Sequence, residues 1–318
     1  MDAENLDFSL LEEIETQAVY FAREAGQILL EQFRKPLEVR FKREKQNDPV
    51  TIADHLSEEY LQRAIREKFP RHGILSEEGG ALYQPDSPFI WVLDPLDGTS
   101  NFINGLPLFA VSIGVLWKNQ PVVGSIYAPV SHCTTEGVYH ASLGRGAFFE
   151  GERIAVTAEP SGRPLAEIPP HFRNLFRFTG KRRIRPHEAR NLGSIALELA
   201  MTACGVFHYS LFGSPRLWDI AAGVLLVKEA GGLVFTCRPG GRKWLPLERF
   251  QTEKESMEVL ENLRKWLSPL AAGAPDTVTK VVEDIRTRHH LLPWLRALKR
   301  LPGRRDREKL KGEQEAPP

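Results

Sequence analysis

At 318 residues with 42% hydrophobic content, the chain holds enough apolar material for one large domain or two of ordinary size. Its 42 basic and 41 acidic side chains nearly cancel to a net charge of +1, which gives no electrostatic reason to expect nucleic acid as the main partner. Three scattered cysteines, Cys133, Cys204 and Cys237, lack CxxC or Cys/His ligand spacing, so they argue against a disulfide framework or a zinc site and read as reduced thiols.

The opening MDAENLDFSLLEEIE lacks the basic start and apolar core of a signal peptide, and no run approaches the roughly 18 apolar residues of a membrane span. A cytoplasmic protein without a membrane span is expected. Residues 8–34 place Leu11, Ile14, Ala18, Ala22, Ala25, Ile28 and Leu29 at helical spacing, and Pro36 ends that helix. NDPVTIADHLSEEYLQRAIREKF reads as a second amphipathic helix with Asp54 just ahead of it and Pro70 beyond. GILSEE, FIWVLDPLD and FAVSIGVLWKNQPVVGSIYAP then read as strands, the last a hairpin turning at Lys118-Asn119-Gln120. TEGVYHAS and RGAFFEGERIAVT extend the run through a tight turn near Glu150-Gly151. Helices followed by strands are the order of an α+β layered domain.

Residues 158–190 are rich in Pro and Arg without clear period, and a boundary is expected there. It divides an N-terminal α+β half, 1–157, from a C-terminal α/β half, 158–287, with a basic, flexible tail over 288–318. In the second half NLGSIALELAMTACG and WDIAAGVLLVKEAGG read as helices, the latter stopping at Gly231-Gly232. Glu248 to Trp266 reads as a charged helical insertion.

The stretch WVLDPLDGTSNFINGLP, residues 91–107, sets Asp94 and Asp97 three positions apart around Pro95. Two carboxylates aimed into one small space repel unless something positive lies between them. Further acids stand at similar positions: Glu77 after GILS, and Asp219 at the head of the WDIAAG helix. Taken singly, Asp219 reads as a dipole-complementing acid, Asp97 as a cap before Gly-Thr-Ser, and Glu77-Glu78 as a solvated turn. Taken together they suit a hard divalent cation such as Mg²⁺, which takes carboxylate oxygens, backbone carbonyls and water. Gly98 and Thr99 add backbone N–H groups at a short helix start, a ready anion site.

In order and spacing, NDPVTIAD, GILSEEGG, WVLDPLDGTSNFINGLP and LWDIAAGVLLVKEAGG resemble the motifs of the inositol monophosphatase family over about residues 8–287. The resemblance implies a layered αβαβα sandwich, a homodimer, and Mg²⁺-dependent hydrolysis of a small-molecule phosphate monoester with two or three ions. Under it, Glu77, Asp94 and the Leu96 carbonyl match one Mg²⁺ site, and Asp94, Asp97 and Asp219 match the second. Asp54 matches the residue that polarises Thr99, whose hydroxyl helps orient the attacking water. Gly98 and Thr99 match positions that hold the phosphate, and Ser194 falls at the start of what resembles the family's intervening helix, on the substrate side. The TSNF after DPLDG is similar to the inositol-phosphatase branch rather than the adenosine-bisphosphate branch.

By a gapless count, Phe212 stands where the inositol enzymes carry a glutamate that contacts substrate hydroxyls. It is read either as core packing or as a substrate-facing ring. The KREKQNDPVT loop differs in detail from the lysine-bearing version usual in that family, which leaves open whether Lys42 or Lys45 reaches the metals. The first substrate expected is inositol monophosphate or a related polyol or sugar phosphate. The alternatives are a 3′-phosphoadenosine 5′-phosphate phosphatase and a non-catalytic anion-binding regulator with the same fold.

Overall fold

The computed structural model of the chain describes residues 6–35, 39–41, 49–82, 89–157, 159, 162–178, 188–237, 243–250 and 259–287. The tail from 288, Lys42 and Lys45 lie outside the described residues. Helix α1 (Phe8–Gln32) begins where Asp7 accepts the backbone N–H groups of Ser9 and Leu10, two of the donors a helix start leaves unpaired. Its apolar period buries Leu11, Ile14, Ala18, Phe21, Ala22, Ala25 and Leu29. A short antiparallel ribbon follows, β1 (Val39–Phe41) with β2 (Pro49–Thr51), and leads into α2 (Ile52–Lys68). Thr51 caps α2, so Asp54 sits inside its first turn rather than ahead of it.

The next strands are β3 (Gly73–Ser76), β4 (Gly80–Leu82) and β5 (Phe89–Asp97), followed by the short helix α3 (Thr99–Ile103). Then come β6 (Ala110–Trp117), β7 (Gln120–Ala128), β8 (Gly137–Ser142), β9 (Gly146–Phe149) and β10 (Glu152–Ile154). They form an eight-stranded sheet in the order β10-β9-β8-β7-β6-β5-β3-β4, antiparallel except where β3 lies parallel to β5. The β6–β7 hairpin turns on Lys118 and Asn119, whose φ of 48° and 65° match the right-handed strand twist. Glu150 and Gly151 turn β9 into β10 in the same way, with φ of 49° and 84°.

The second sheet takes β11 (Leu165–Glu167), β13 (Glu188–Arg190), β14 (Phe207–Phe212), β15 (Leu233–Thr236), β16 (Leu245–Pro246) and β17 (Leu270–Gly273), in the order β13-β11-β14-β17-β15-β16. Between β11 and β13 lie α4 (Phe172–Leu175) and β12 (Phe176–Phe178), the latter paired with β18 (Ile285–Thr287). Helices α5 (Ile195–Ala203) and α6 (Leu217–Glu229) flank β14, α7 (Val259–Arg264) precedes β17, and α8 (Pro275–Asp284) follows it.

Five layers result, the αβαβα sandwich that the resemblance implies. Helices α1 and α2 cover one face of the large sheet through Leu29, Leu61, Trp91, Ile113 and Tyr127. Helices α5 and α6 are buried between the sheets, where Leu199, Leu225 and Leu226 meet Val92, Ile126, Phe212 and Ala272. Helix α8 closes the far face with Val278 and Val281 against Tyr209 and Leu211. The two halves of the chain therefore share one core. Small residues let α6 lie close on the sheet: a Cβ at Gly114 would stand 2.6 Å from Cβ of Ala221.

Candidate active site

The large sheet is regular up to Leu93 and then slips. Asp94 pairs with Ser112 and Asp97 with Ala110, so three steps on β5 oppose two on β6. That extra residue is a bulge, which bends the strand and re-aims its side chains. Both aspartates are buried at this point, with Asp94 2% and Asp97 9% exposed. Glu77 follows β3 and ties its N–H to the Leu93 carbonyl at 3.2 Å, next to the bulge. Asp219 comes in from the first turn of α6.

The three aspartates feel their acidic neighbours. Burial, then the charges of Glu77, Asp97 and Asp219, hold the Asp94 carboxyl well above the usual carboxylate range. Burial pushes Asp97 up to about 7 against two opposing hydrogen bonds. Burial and the Asp97 charge raise Asp219. Buried carboxyls whose charged forms are opposed first by burial and then by neighbouring acids are what a multivalent cation relieves, and oxygen-only donors suit Mg²⁺.

The three aspartates also have protein donors. Asp94 accepts the Leu96 N–H at 3.1 Å. Asp97 Oδ2 accepts the Ser194 hydroxyl at 2.8 Å and the Ala196 N–H at 2.6 Å. Asp219 accepts the Arg216 N–H at 2.8 Å. Among the described residues no three His, Cys, Asp or Glu side chains close on a single point. The bonds of Asp94 and Asp219 run to backbone N–H groups two and three residues away, whereas those of Asp97 run to the start of α5.

Helix α2 braces this arrangement with three residues on one face. Asp54 accepts the Thr51 N–H and hydroxyl at 2.8 and 2.7 Å, and Thr99 Oγ1 lies 3.3 Å from its other oxygen. Ser57, one turn on, donates to the Pro95 carbonyl at 2.9 Å. Glu58 takes the hydroxyl of Ser76, the residue before Glu77. Asp54, the DPLD turn and the Glu77 corner are thus tied to one rigid element. Sequence reasoning found Asp54 and missed Ser57 and Glu58, although i+3 and i+4 spacing on an amphipathic helix was a usable signal.

Thr99 Oγ1 also lies 3.1 Å from the Leu96 carbonyl, so its single proton serves one acceptor at a time. Gly98 has φ +95°, and a Cβ there would meet the Leu108 carbonyl at 3.0 Å and Ser194 Cβ at 3.3 Å. The bend that presents Thr99 therefore needs glycine, and it brings Ser194 alongside. The structure brings together Asp54, Glu77, Asp94, Leu96, Asp97, Gly98, Thr99, Ser194 and Asp219. Phe212 stands apart: it pairs with Leu270 at the end of β14, is 3% exposed and packs in the core between the sheets. This geometry favours the packing reading of its ring.

The sequence profile of the inositol monophosphatase family matches residues 10–266. The chain belongs to that family. It is 35% identical over 242 residues, 72% of this chain and 86% of the relative, to the Nus factor SuhB of Pasteurella multocida. It is also 35% identical over 222 residues, 65% of this chain and 80% of the relative, to the fructose-1,6-bisphosphatase/inositol-1-monophosphatase of Aquifex aeolicus. Among solved structures, the inositol monophosphatase of an Anabaena (Nostoc) species superimposes with a TM-score of 0.61 at 28% identity, covering 86% of this chain and 97% of that one. Membership supports a phosphatase of this family. Among the described residues no helix is long and apolar enough to cross a membrane.

Proposed function

We propose that the chain hydrolyses a small polyol or sugar phosphate monoester in a Mg²⁺-dependent reaction, with inositol monophosphate the first candidate and a homodimer the working form. The observation that carries this reading is the placing of Asp94 and Asp97 at the β5 bulge beside Thr99, with Asp94 buried and facing the charges of Glu77, Asp97 and Asp219. Glu77, Asp94, Asp97, Asp219 and the Leu96 carbonyl would hold the ions. When bound, Mg²⁺ supplies charge stabilisation for the attacking and leaving oxygens.

The protein's own groups do the rest. Asp54, raised by burial and steadied by Thr51, accepts a hydrogen bond from the Thr99 hydroxyl, which turns the lone pairs of the Thr99 oxygen toward a water and orients it. Gly98 and Thr99 turn backbone N–H groups toward the phosphate, and Ser194 lines the same side. No side-chain nucleophile is required, because positioning and electrostatics supply most of the catalysis.

A second reading, a non-catalytic regulator on the same fold, draws support from the SuhB relatives that carry the name Nus factor. A phosphate-release screen over inositol, glycerol, fructose, histidinol and adenosine phosphates, with and without Mg²⁺, separates the readings. Release from an inositol or sugar ester that needs Mg²⁺ supports the first; release from 3′-phosphoadenosine 5′-phosphate alone points to the adenosine branch; no release from any ester supports the regulator.

A further inference from the structure

Ser194, which caps α5 and donates to Asp97, ends a loop, 191–194 between β13 and α5, that is held from three sides. Oε1 of Glu198, one turn into α5, accepts the N–H groups of Leu192 at 2.5 Å and Gly193 at 3.1 Å, and lies 3.3 Å from Nδ2 of Asn191. The same Asn191 amide reaches Glu167 Oε1 at 3.3 Å, and Glu167 Oε2 takes the Leu211 N–H of β14 at 3.2 Å. From the site side, Asn101 of α3 donates to the carbonyls of Leu192 at 2.7 Å and Leu108 at 2.6 Å. Gly193 has φ +79°, and a Cβ there would come within 3.0 Å of the Asn101 side chain.

Both of these carboxyls are 1% exposed, and the catalytic reading uses neither. Burying two acids against each other is costly unless their oxygens do something the fold needs. Here they anchor a loop whose end donates to Asp97. Both of Asp97's bonds, from Ser194 and Ala196, fall on Oδ2, so the loop decides which way the other oxygen faces.

We propose that Glu198 is a positioning residue: by accepting two backbone N–H groups of the 191–194 loop on one oxygen, it fixes Ser194 against Asp97 and so sets the cation affinity of the site. The inference rests on the reading of Asp97 as a Mg²⁺ ligand. Because every bond runs to Oε1 as acceptor, an amide oxygen serves as well as a carboxyl oxygen. Burial already pushes Glu198 up to about 8 and Glu167 up to about 9, which makes an uncharged replacement a fair mimic.

The test titrates Mg²⁺ calorimetrically into wild type, Glu198→Ala and Glu198→Gln, with phosphate release from inositol 1-phosphate and melting temperature measured alongside. Glu198→Ala is expected to weaken Mg²⁺ binding about tenfold or more, the usual effect of losing an outer support of a metal site. Glu198→Gln is expected to stay within about threefold of wild type, since it keeps the acceptor. A folded Glu198→Ala with wild-type Mg²⁺ affinity overturns the inference, and so does a Glu198→Gln as impaired as the alanine variant. Should Glu198→Ala not fold, Glu198→Asp takes its place, its carboxylate one methylene too short to hold both N–H groups, with the same loss expected and the same refutation. A wild type that neither binds Mg²⁺ nor releases phosphate overturns the parent reading and this one with it; an active wild type with an unaffected alanine variant overturns this one alone.

Discussion

Replacing Asp94 by Asn should abolish Mg²⁺-dependent hydrolysis and at the same time stabilise the metal-free protein. The side chain is 2% exposed and faces the charges of Glu77, Asp97 and Asp219. Asparagine keeps the shape and keeps an oxygen to accept the Leu96 N–H, but it removes a charge that burial and three neighbours all oppose. In the pH range where Asp94 is ionised, removing a buried, unpaired charge relieves a penalty on the order of a few kcal/mol. For a protein of this size that is on the order of 5 °C in melting temperature.

The pH dependence follows the same sign. A carboxyl raised in the folded state keeps its proton while the unfolded chain has already given it up, so its stabilising contribution is intact at low pH and is lost as pH rises toward the folded value. For Asp97 that window runs from about 4 to about 7; for Asp94 it opens at the same low end. One such group changes stability by at most about 1.4 kcal/mol per pH unit. Melts of wild type and Asp94→Asn between pH 5 and 8, in chelator and in excess Mg²⁺, therefore make the assay. Wild type should fall with rising pH in chelator and recover in Mg²⁺, while Asp94→Asn should fall less and gain little from Mg²⁺. A variant less stable than wild type in chelator at pH 8, yet still stabilised by Mg²⁺, would refute the reasoning.

Thr99→Ala should lower kcat by about 10²-fold while leaving Mg²⁺ affinity near wild type, because it removes a proton-handling hydroxyl and no ligand; an unchanged kcat removes Thr99 and Asp54 from the mechanism. Ser57→Ala should cost about 1–3 kcal/mol in urea melts, since it leaves the buried Pro95 carbonyl without its donor; a neutral result shows that the DPLD turn does not lean on α2. Gly26→Ala should cost about 1–3 kcal/mol, because its Cβ would lie 2.3 Å from the Tyr127 ring where α1 crosses β7; an unchanged midpoint would show that the ring has room to move. Phe212→Glu should lower the melting temperature rather than shift preference toward inositol 1-phosphate over glycerol 2-phosphate, because the ring is packed between the sheets; a raised inositol preference in a stable variant would put position 212 in the substrate pocket.

What the sequence made legible were features set by local periodicity. Helix α1 and the β6–β7 hairpin follow from residue spacing and two turn residues, and DPLD announces itself because paired acids around a proline are hard to place otherwise. Pairings across the chain left no such trace. Asp97 reads as the cap of its own Gly-Thr-Ser turn, yet its bonds run to Ser194 and Ala196, nearly a hundred residues on. Glu167 and Glu198 sit in apolar surroundings with no neighbouring charge pattern, so nothing local marks them as partners of one loop. The β1–β2 ribbon is too short for an alternating pattern to stand out, and the count to Phe212 measures spacing without revealing that β14 turns the ring inward.

The capping bonds bear on whether an enzyme or a regulator stands on this fold. Asp54 holds the N-terminus of α2 through Thr51, Asp219 that of α6 through Arg216, and Asp97 the first turn of α5. A chain that had given up catalysis would have structural reasons to keep all three, so their presence alone says little about activity. Asp94 is different. Its bond to the Leu96 N–H would be made equally well by asparagine, whereas its charge is opposed by burial and by Glu77, Asp97 and Asp219. Under the proposed reading, the Asp94 charge, which weakens the metal-free fold where a neutral isostere would serve the backbone, has its use when a cation is present. The weight of the catalytic reading therefore rests on Asp94 more than on the other acids, and the chelator melts of its asparagine variant probe that reading where it is most exposed.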